Sequence, residues 1–215
     1  MDITYFGHSS FRIRGKQTTV VTDPFDSAMV GFPYPKHTSA NIVTVSHEHG
    51  DHNSTSQIEG SPYIVSGPGE YEIQGVGIVG FASFHDATKG TERGSNTIYR
   101  IEIDGVSIVH LGDVGHVLDS ETVNNLDGVD ILMIPVGGFF TIDPEKANAV
   151  IKGIEPSIVI PMHYLTPKHN AKAFGDVQPL EVFLKEMGKE GIVPVSKLTI
   201  TKDKIPEEMQ VVVLE

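Results

Sequence analysis

The sequence contains no cysteine. Disulfides, thiolate metal sites and a cysteine nucleophile are therefore excluded. Any tight metal site must use His, Asp and Glu. Positive charge is also scarce: 16 Lys and Arg face 28 Asp and Glu, a formal net charge of −12. Such an acidic chain is poorly suited to gripping nucleic acid through phosphates. It offers no basic amphipathic stretch for an anionic membrane, and no apolar run approaches a bilayer span. Met1 to Ser10 carries Asp2, His8 and two serines, without the basic start and apolar run of a secretory signal. A soluble cytoplasmic protein acting on a small molecule is expected, and a homo-oligomer is compatible with this reading. With 215 residues and no Ser/Pro/Gly-rich linker, the chain reads as a single domain.

Short β-rich runs fill the first half: Ile3–Phe6, Ser10–Ile13, Thr18–Thr22, Ile42–Ser46, Tyr63–Val65 and Val76–Phe84. Thr97–Ile103 and Val106–Leu111 flank Asp104-Gly105, a strong hairpin signal. The second half alternates. Helices are expected over Asp119–Leu126, Asp143–Ile151 and Pro179–Glu190, the second opened by a capping Asp followed by Pro. Buried strands are expected over Asp130–Ile134 and Ser157–Ile160, with Val193–Leu198 and Val211–Leu214 closing sheet edges. Packed sheets covered by helices fit this order, an α+β fold.

Apolar strands repeatedly run straight into a His or Asp. Ile42–Ser46 leads into His47 and His49, and Ile78–Phe84 into His85. Val106–Leu111 leads into Gly112-Asp113, Ile158–Met162 into His163, and Thr19–Thr22 into Asp23. Strands that stop at one edge deliver their loop residues to a common cleft. The strongest piece is His47-Glu48-His49-Gly50-Asp51-His52. Its four potential ligands in six residues can serve two adjacent ions, which can share a water and lower its pKa toward neutrality. Taken alone, His85, Asp113 and His163 could each be an ordinary core, turn or strand-end residue. They gain weight because two metals need more than four ligands.

These motifs, with Tyr5-Phe6-Gly7-His8-Ser9-Ser10-Phe11, Thr22-Asp23-Pro24-Phe25, His110-Leu111-Gly112-Asp113 and Ile160-Pro161-Met162-His163-Tyr164, resemble the metallo-β-lactamase-fold hydrolases. The compact branch that includes ascorbate-6-phosphate lactonase is the nearer likeness. The resemblance covers about the first four-fifths of the chain. It implies a four-layer αβ/βα sandwich with the metals at one edge of the two sheets. Carried over by motif, it places His47, His49 and His85 on one metal and Asp51, His52 and His163 on the other, with Asp113 between them. Asp23 matches a buried aspartate that orients ligands, and His8 and His110 are expected in a supporting role.

The chemistry so implied is attack of a bridging hydroxide on an ester, lactone or phosphodiester, with Asp51 both ligating and orienting the nucleophile. His116, Tyr164 and His8 are candidates for the acid that protonates the leaving group. Zinc suits the donor set best, and manganese or iron also fits. A nuclease or cyclic-nucleotide phosphodiesterase is the alternative within catalysis, and a metal-binding scaffold the alternative outside it. The loops Ser66–Tyr71 and Val136–Thr141 are expected to shape the pocket. Phe25, Met29, Val30, Phe32 and Tyr34 could line it or a subunit contact. The tail after His169 is too short for an added helical substrate domain.

Overall fold

Alternate residues of a strand face opposite ways, and the central strands of both sheets bury both faces. The computed structural model describes residues 1–215. One mixed sheet contains β1 (Asp2–Gly7), β2 (Ser10–Arg14), β3 (Thr19–Thr22), β4 (Ile42–Val45), β5 (Tyr63–Ser66) and the late strand β12 (Leu198–Thr199). The other contains β6 (Gly69–Ile73), β7 (Val76–Phe84), β8 (Ser95–Ile103), β9 (Val106–His110), β10 (Ile131–Pro135), β11 (Ile158–Met162) and β13 (Gln210–Val211). Their spatial orders are β12-β1-β2-β3-β4-β5 and β13-β11-β10-β9-β8-β7-β6. β3, β4 and β5 run parallel, as do β9, β10, β11 and β13; the remaining pairs are antiparallel.

In β3 and β4, Val20 and Ile42 enter the core between the sheets, while Val21, Val43 and Val45 face outward. In the second sheet, Ile108, Ile131, Met133 and Ile160 fill the same inner core, and Val109, Leu132, Ile134 and Val159 face outward. The outward set of the second sheet packs beneath α3 (Pro144–Ile154) and α5 (Leu180–Glu186), through Val150, Ile151, Phe183 and Leu184. The outward set of the first is covered by two single-turn helices, α1 (Ser27–Val30) and α4 (Ala171–Phe174), through Val30 and Phe174, and by the loop residues Phe25, Tyr34, Ile58 and Val177. The result is the expected α+β sandwich, thinly covered on one side. The short helix α2 (Ser120–Asn125) completes the set.

Local chemistry explains the boundaries. Asp143 accepts a hydrogen bond from the Lys146 backbone N–H and Pro144 takes the first helical turn of α3; Asp119 caps α2 through Thr122 N–H. The Asp104-Gly105 turn holds φ of +53° and +80°, as a two-residue hairpin requires. The stretch expected as a loop from Ser66 to Tyr71 is in part a strand. β6 pairs with β7 across Gln74-Gly75, which adopts the same kind of turn, with φ of +51° and +78°. No residue of this edge strand is fully buried, so it lacks the apolar alternation that marks a strand in sequence. The two tail segments expected as edge strands reach the sheets only by Leu198 in β12 and Val211 in β13, each strand two residues long, and otherwise meet each other at Val195 and Leu214.

At the carboxyl ends of β4, β9 and β11 the two sheets are stitched together. Tyr99 Oη donates to Val45 O at 2.8 Å, Thr97 N–H to Ser46 O at 2.8 Å, and His163 N–H to His8 O at 2.8 Å. This edge carries the site.

Candidate metal centre

Each candidate ligand leaves the end of a strand. His47, His49, Asp51 and His52 follow β4, His85 follows β7, Asp113 follows β9, and His163 follows β11. The structure brings all seven together. Asp113 Oδ2 lies 3.1 Å from His52 Nε2, 3.2 Å from His163 Nε2, 3.4 Å from His85 Nε2 and 4.0 Å from His47 Nε2. Ligand atoms of His47, His49 and His85 fall within 4.8 Å of one another, and so do those of His8, Asp51, His52 and His163.

The donor set fits divalent cations. His47 Nε2, His52 Nε2, His163 Nε2, Asp51 Oδ1 and Asp113 Oδ1 are buried without a hydrogen-bond partner. An isolated buried polar atom costs about 1–3 kcal/mol, so such a concentration around one carboxylate calls for a shared partner. Imidazoles and carboxylates without thiolates suit zinc, manganese or iron.

The surrounding bonds fix which ring nitrogen is free. Asp23 accepts from Ser46 N–H at 2.8 Å, from Ser46 Oγ at 2.6 Å and from His52 Nδ1 at 2.8 Å. His47 Nδ1 lies 2.9 Å from Ser46 Oγ. Because Ser46 gives its own proton to Asp23, its oxygen accepts from His47. Asp23 thus turns Nε2 of His52 directly, and Nε2 of His47 through Ser46, into the cluster. Asp113 is placed by Asn96, whose Oδ1 accepts from Asp113 N–H at 2.9 Å while its Nδ2 donates to Leu111 O and Ser83 Oγ. Gly112 permits this approach, with φ of +55°; a Cβ there would meet Asn96 Oδ1 at 2.3 Å and Ser46 Cβ at 2.6 Å. His8, Asp23 and His163 also hold positive φ without being glycine, a strain of about 1–3 kcal/mol each that concentrates at functional sites.

Comparison with known proteins gives the family. The model of the β-lactamase superfamily domain matches residues 2–163. A UPF0173 metal-dependent hydrolase of Thermococcus onnurineus is 30% identical, over 81% of this chain and 92% of its own. One from Pelotomaculum thermopropionicum is 31% identical, over 77% and 85%. The crystal structure of a Thermotoga maritima protein, described as a Zn-dependent hydrolase of the metallo-β-lactamase superfamily, superposes with a TM-score of 0.80 at 34% identity, covering 99% of this chain and 97% of that one. The chain belongs to the metal-dependent hydrolases of the metallo-β-lactamase superfamily.

The field inside this superfamily site favours positive charge at its centre. Burial alone would raise the Asp113 carboxyl, but the imidazoles of His163 and His52 hold it well below the usual range. Burial would lower His52, yet Asp113 and Asp51 raise it well above an ordinary imidazole. Burial, reinforced by His52, depresses His47 to about 3, so it stays neutral as a ligand must.

His8 joins the cluster more closely than expected, 3.1 Å from Asp51 Oδ2. His169, missed in sequence, stands behind it. His169 Nδ1 accepts from Thr166 N–H at 3.0 Å, so its proton sits on Nε2, facing His8 Nδ1 at 3.4 Å. His8 must then donate from Nε2 to Asp51. The structure so orders a chain from Thr166 through His169 and His8 to Asp51. Burial holds His169 near 4 and His8 near 3, both neutral. His110 donates from Nε2 to Ser9 O at 2.8 Å and accepts from Gly112 N–H at 3.2 Å. It therefore props the turn after His8 and the turn before Asp113 and joins neither ligand group.

Two expectations are corrected. His116 accepts from Phe84 N–H at 3.3 Å and lies 2.9 Å from Val117 O, so its ring is spent on local backbone. Tyr164 faces away: positive φ at His163 reverses the chain, and Tyr164 packs 6.3 Å from Tyr5. Neither lines the two cavities bounded by His49; Tyr164 lines a third, of about 580 Å3, on the far side of His8 and beside His169.

The mouth is a cavity of about 270 Å3, walled by His49, Asp51, His85 and Asp113 on one side and by Met29, Phe140 and Phe174 on the other. An adjoining cavity of about 280 Å3 extends past His47 and His49 to Ser66, Gly67 and Asn96. Both expected loops therefore reach the site, one through Ser66-Gly67-Pro68 and the other through Phe140. Of the five apolar candidates, Met29 lines the mouth, Phe25, Val30 and Tyr34 are core, and Phe32 lines a separate cavity.

Proposed function

We propose that this chain is a two-metal hydrolase of an ester, lactone or phosphodiester in a small metabolite. His47, His49 and His85 would hold one ion, Asp51, His52 and His163 the other, and Asp113 would stand between them. The observation that carries this reading is the convergence of unpartnered buried ligand atoms on the Asp113 carboxylate. Two divalent ions supply Lewis acidity and a water ionised near neutral pH. The chain's own residues supply orientation. Asp23 sets the two imidazoles His52 and His47, Asn96 sets Asp113, and His8 donates to Asp51, leaving its second oxygen free. Met29, Phe140 and Phe174 limit water on the substrate side. Zinc is the preferred ion, with manganese or iron as alternatives. The test is turnover of p-nitrophenyl acetate, a γ-lactone and bis-p-nitrophenyl phosphate by protein loaded with each metal. Ester or lactone turnover that His49→Ala abolishes supports the reading. Turnover of the phosphodiester alone would move it to phosphodiesterase chemistry, and none on a fully metallated protein would favour a scaffold.

A further inference from the structure

The mouth of the metal cavity holds one arginine, Arg93, which lines both adjoining cavities. Its guanidinium sits over the Phe140 ring, 5.6 Å from the centroid. Glu92, Asp51 and Asp113 line the mouth cavity with Arg93, but none is ion-paired with it: Glu92 accepts from Thr88 Oγ1 at 3.1 Å, Asp51 from His8, and Asp113 is surrounded by imidazoles.

The backbone under Arg93 is built to hold it there. Asp86, directly after His85, accepts from the backbone N–H groups of Thr88, Gly90, Glu92 and Arg93 and from Thr88 Oγ1. His85 N–H donates to Gly94 O at 3.1 Å and closes the loop at its base. A candidate metal ligand and Arg93 thus stand at the two ends of one braced loop. A guanidinium is always charged, and its planar fork matches a carboxylate or phosphate in two parallel bonds. Stacking on an aromatic face leaves the edge of that fork free.

We propose that Arg93 is the specificity-determining residue of the site and binds an oxyanion, carboxylate or phosphate, carried by the substrate apart from the bond that is cleaved. This rests on the hydrolase reading above and narrows it to small anionic esters or lactones with an apolar body against Met29, Phe140 and Phe174.

The experiment compares three p-nitrophenyl esters on metal-loaded protein: the neutral acetate, the carboxylate-bearing hemisuccinate, and a phosphate-bearing ester of phosphoglycolate. Wild-type protein is expected to prefer an anionic ester in kcat/KM, and the better of the two identifies the group. In Arg93→Ala the ratio of anionic to neutral kcat/KM is expected to fall about 10–100-fold, mainly through KM, as for loss of a charge-assisted hydrogen bond. Arg93→Lys should fall between. Metal content per chain, measured alongside, should match wild type. Calorimetric binding of succinate and inorganic phosphate to the same metal-loaded proteins gives a readout free of turnover, with at least tenfold weaker binding of one of them expected in Arg93→Ala. An unchanged ester ratio with unchanged anion binding would overturn the proposal. No ester turnover, with anion binding still lost in Arg93→Ala, would retain the anion site and overturn the hydrolase reading.

Discussion

The two ligand groups on either side of Asp113 are held very differently. At the inner one, His52 is braced by Asp23, Asp51 by His8, and His163 is pinned through its backbone to His8. All three are buried. At the outer one, His47 is braced through Ser46, and His85 is pinned through its backbone to Gly94 with its Nδ1 unpartnered, as the Nδ1 of His163 is; the difference lies in His49, which is exposed. An ion at the inner position would therefore meet ligands that are all buried, whereas one at the outer would have to order the exposed His49. Ordering costs free energy that a braced site has already met within the fold.

Breaking the shared residue should have the largest effect. Asp113→Ala is expected to abolish turnover and reduce metal content at both positions, measured by assay and metal analysis on the same sample. Gly112→Ala should approach it, since a Cβ would displace Asn96 and Ser46. Next, Asp23→Asn should weaken metal binding by about 10–100-fold, chiefly at the inner position. Titration with a chelator would sharpen the comparison further. The outer ion should leave first, so release in wild type should be biphasic, and Asp23→Asn should bring the two phases together. A single phase in wild type would mean that the two positions are equally organised.

The smallest expected effect concerns pH. His8 near 3 and His169 near 4 stay neutral in the fold but protonate near 6.5 when unfolded. The unfolded chain then binds more protons between about pH 4 and 6.5, so these groups make stability fall as pH drops through that window. His52, raised in the fold, acts in the opposite sense. In metal-free protein, His169→Gln should flatten the acid limb of Tm against pH relative to wild type. An unchanged limb would mean that His169 is not held neutral.

The apolar strands that end in His or Asp were legible because a buried strand fixes where the next side chain emerges. That rule brought His47, His85, Asp113 and His163 to one edge. The supports were not legible. Ser46, Asn96 and His169 act through bonds to distant segments, and nothing in their own neighbourhood marks them. Arg93 depends on a loop organised by Asp86; the His85-Asp86 pair is visible in sequence, but the bonds from Asp86 to the backbone of Thr88 through Arg93 are not. Tyr164 follows His163 directly, but His163 holds a positive φ that no local sequence signal marks, and Tyr164 packs against Tyr5. The helices α1 and α4 span four residues each, too few for any periodicity to show.

The most direct test is metal content per chain, by plasma mass spectrometry on gently purified, tag-free protein. Close to two equivalents of zinc, manganese or iron are expected, the inner one surviving brief chelation. A chain that carries no metal, and takes up none when zinc, manganese and iron are each supplied, would contradict the two-metal centre.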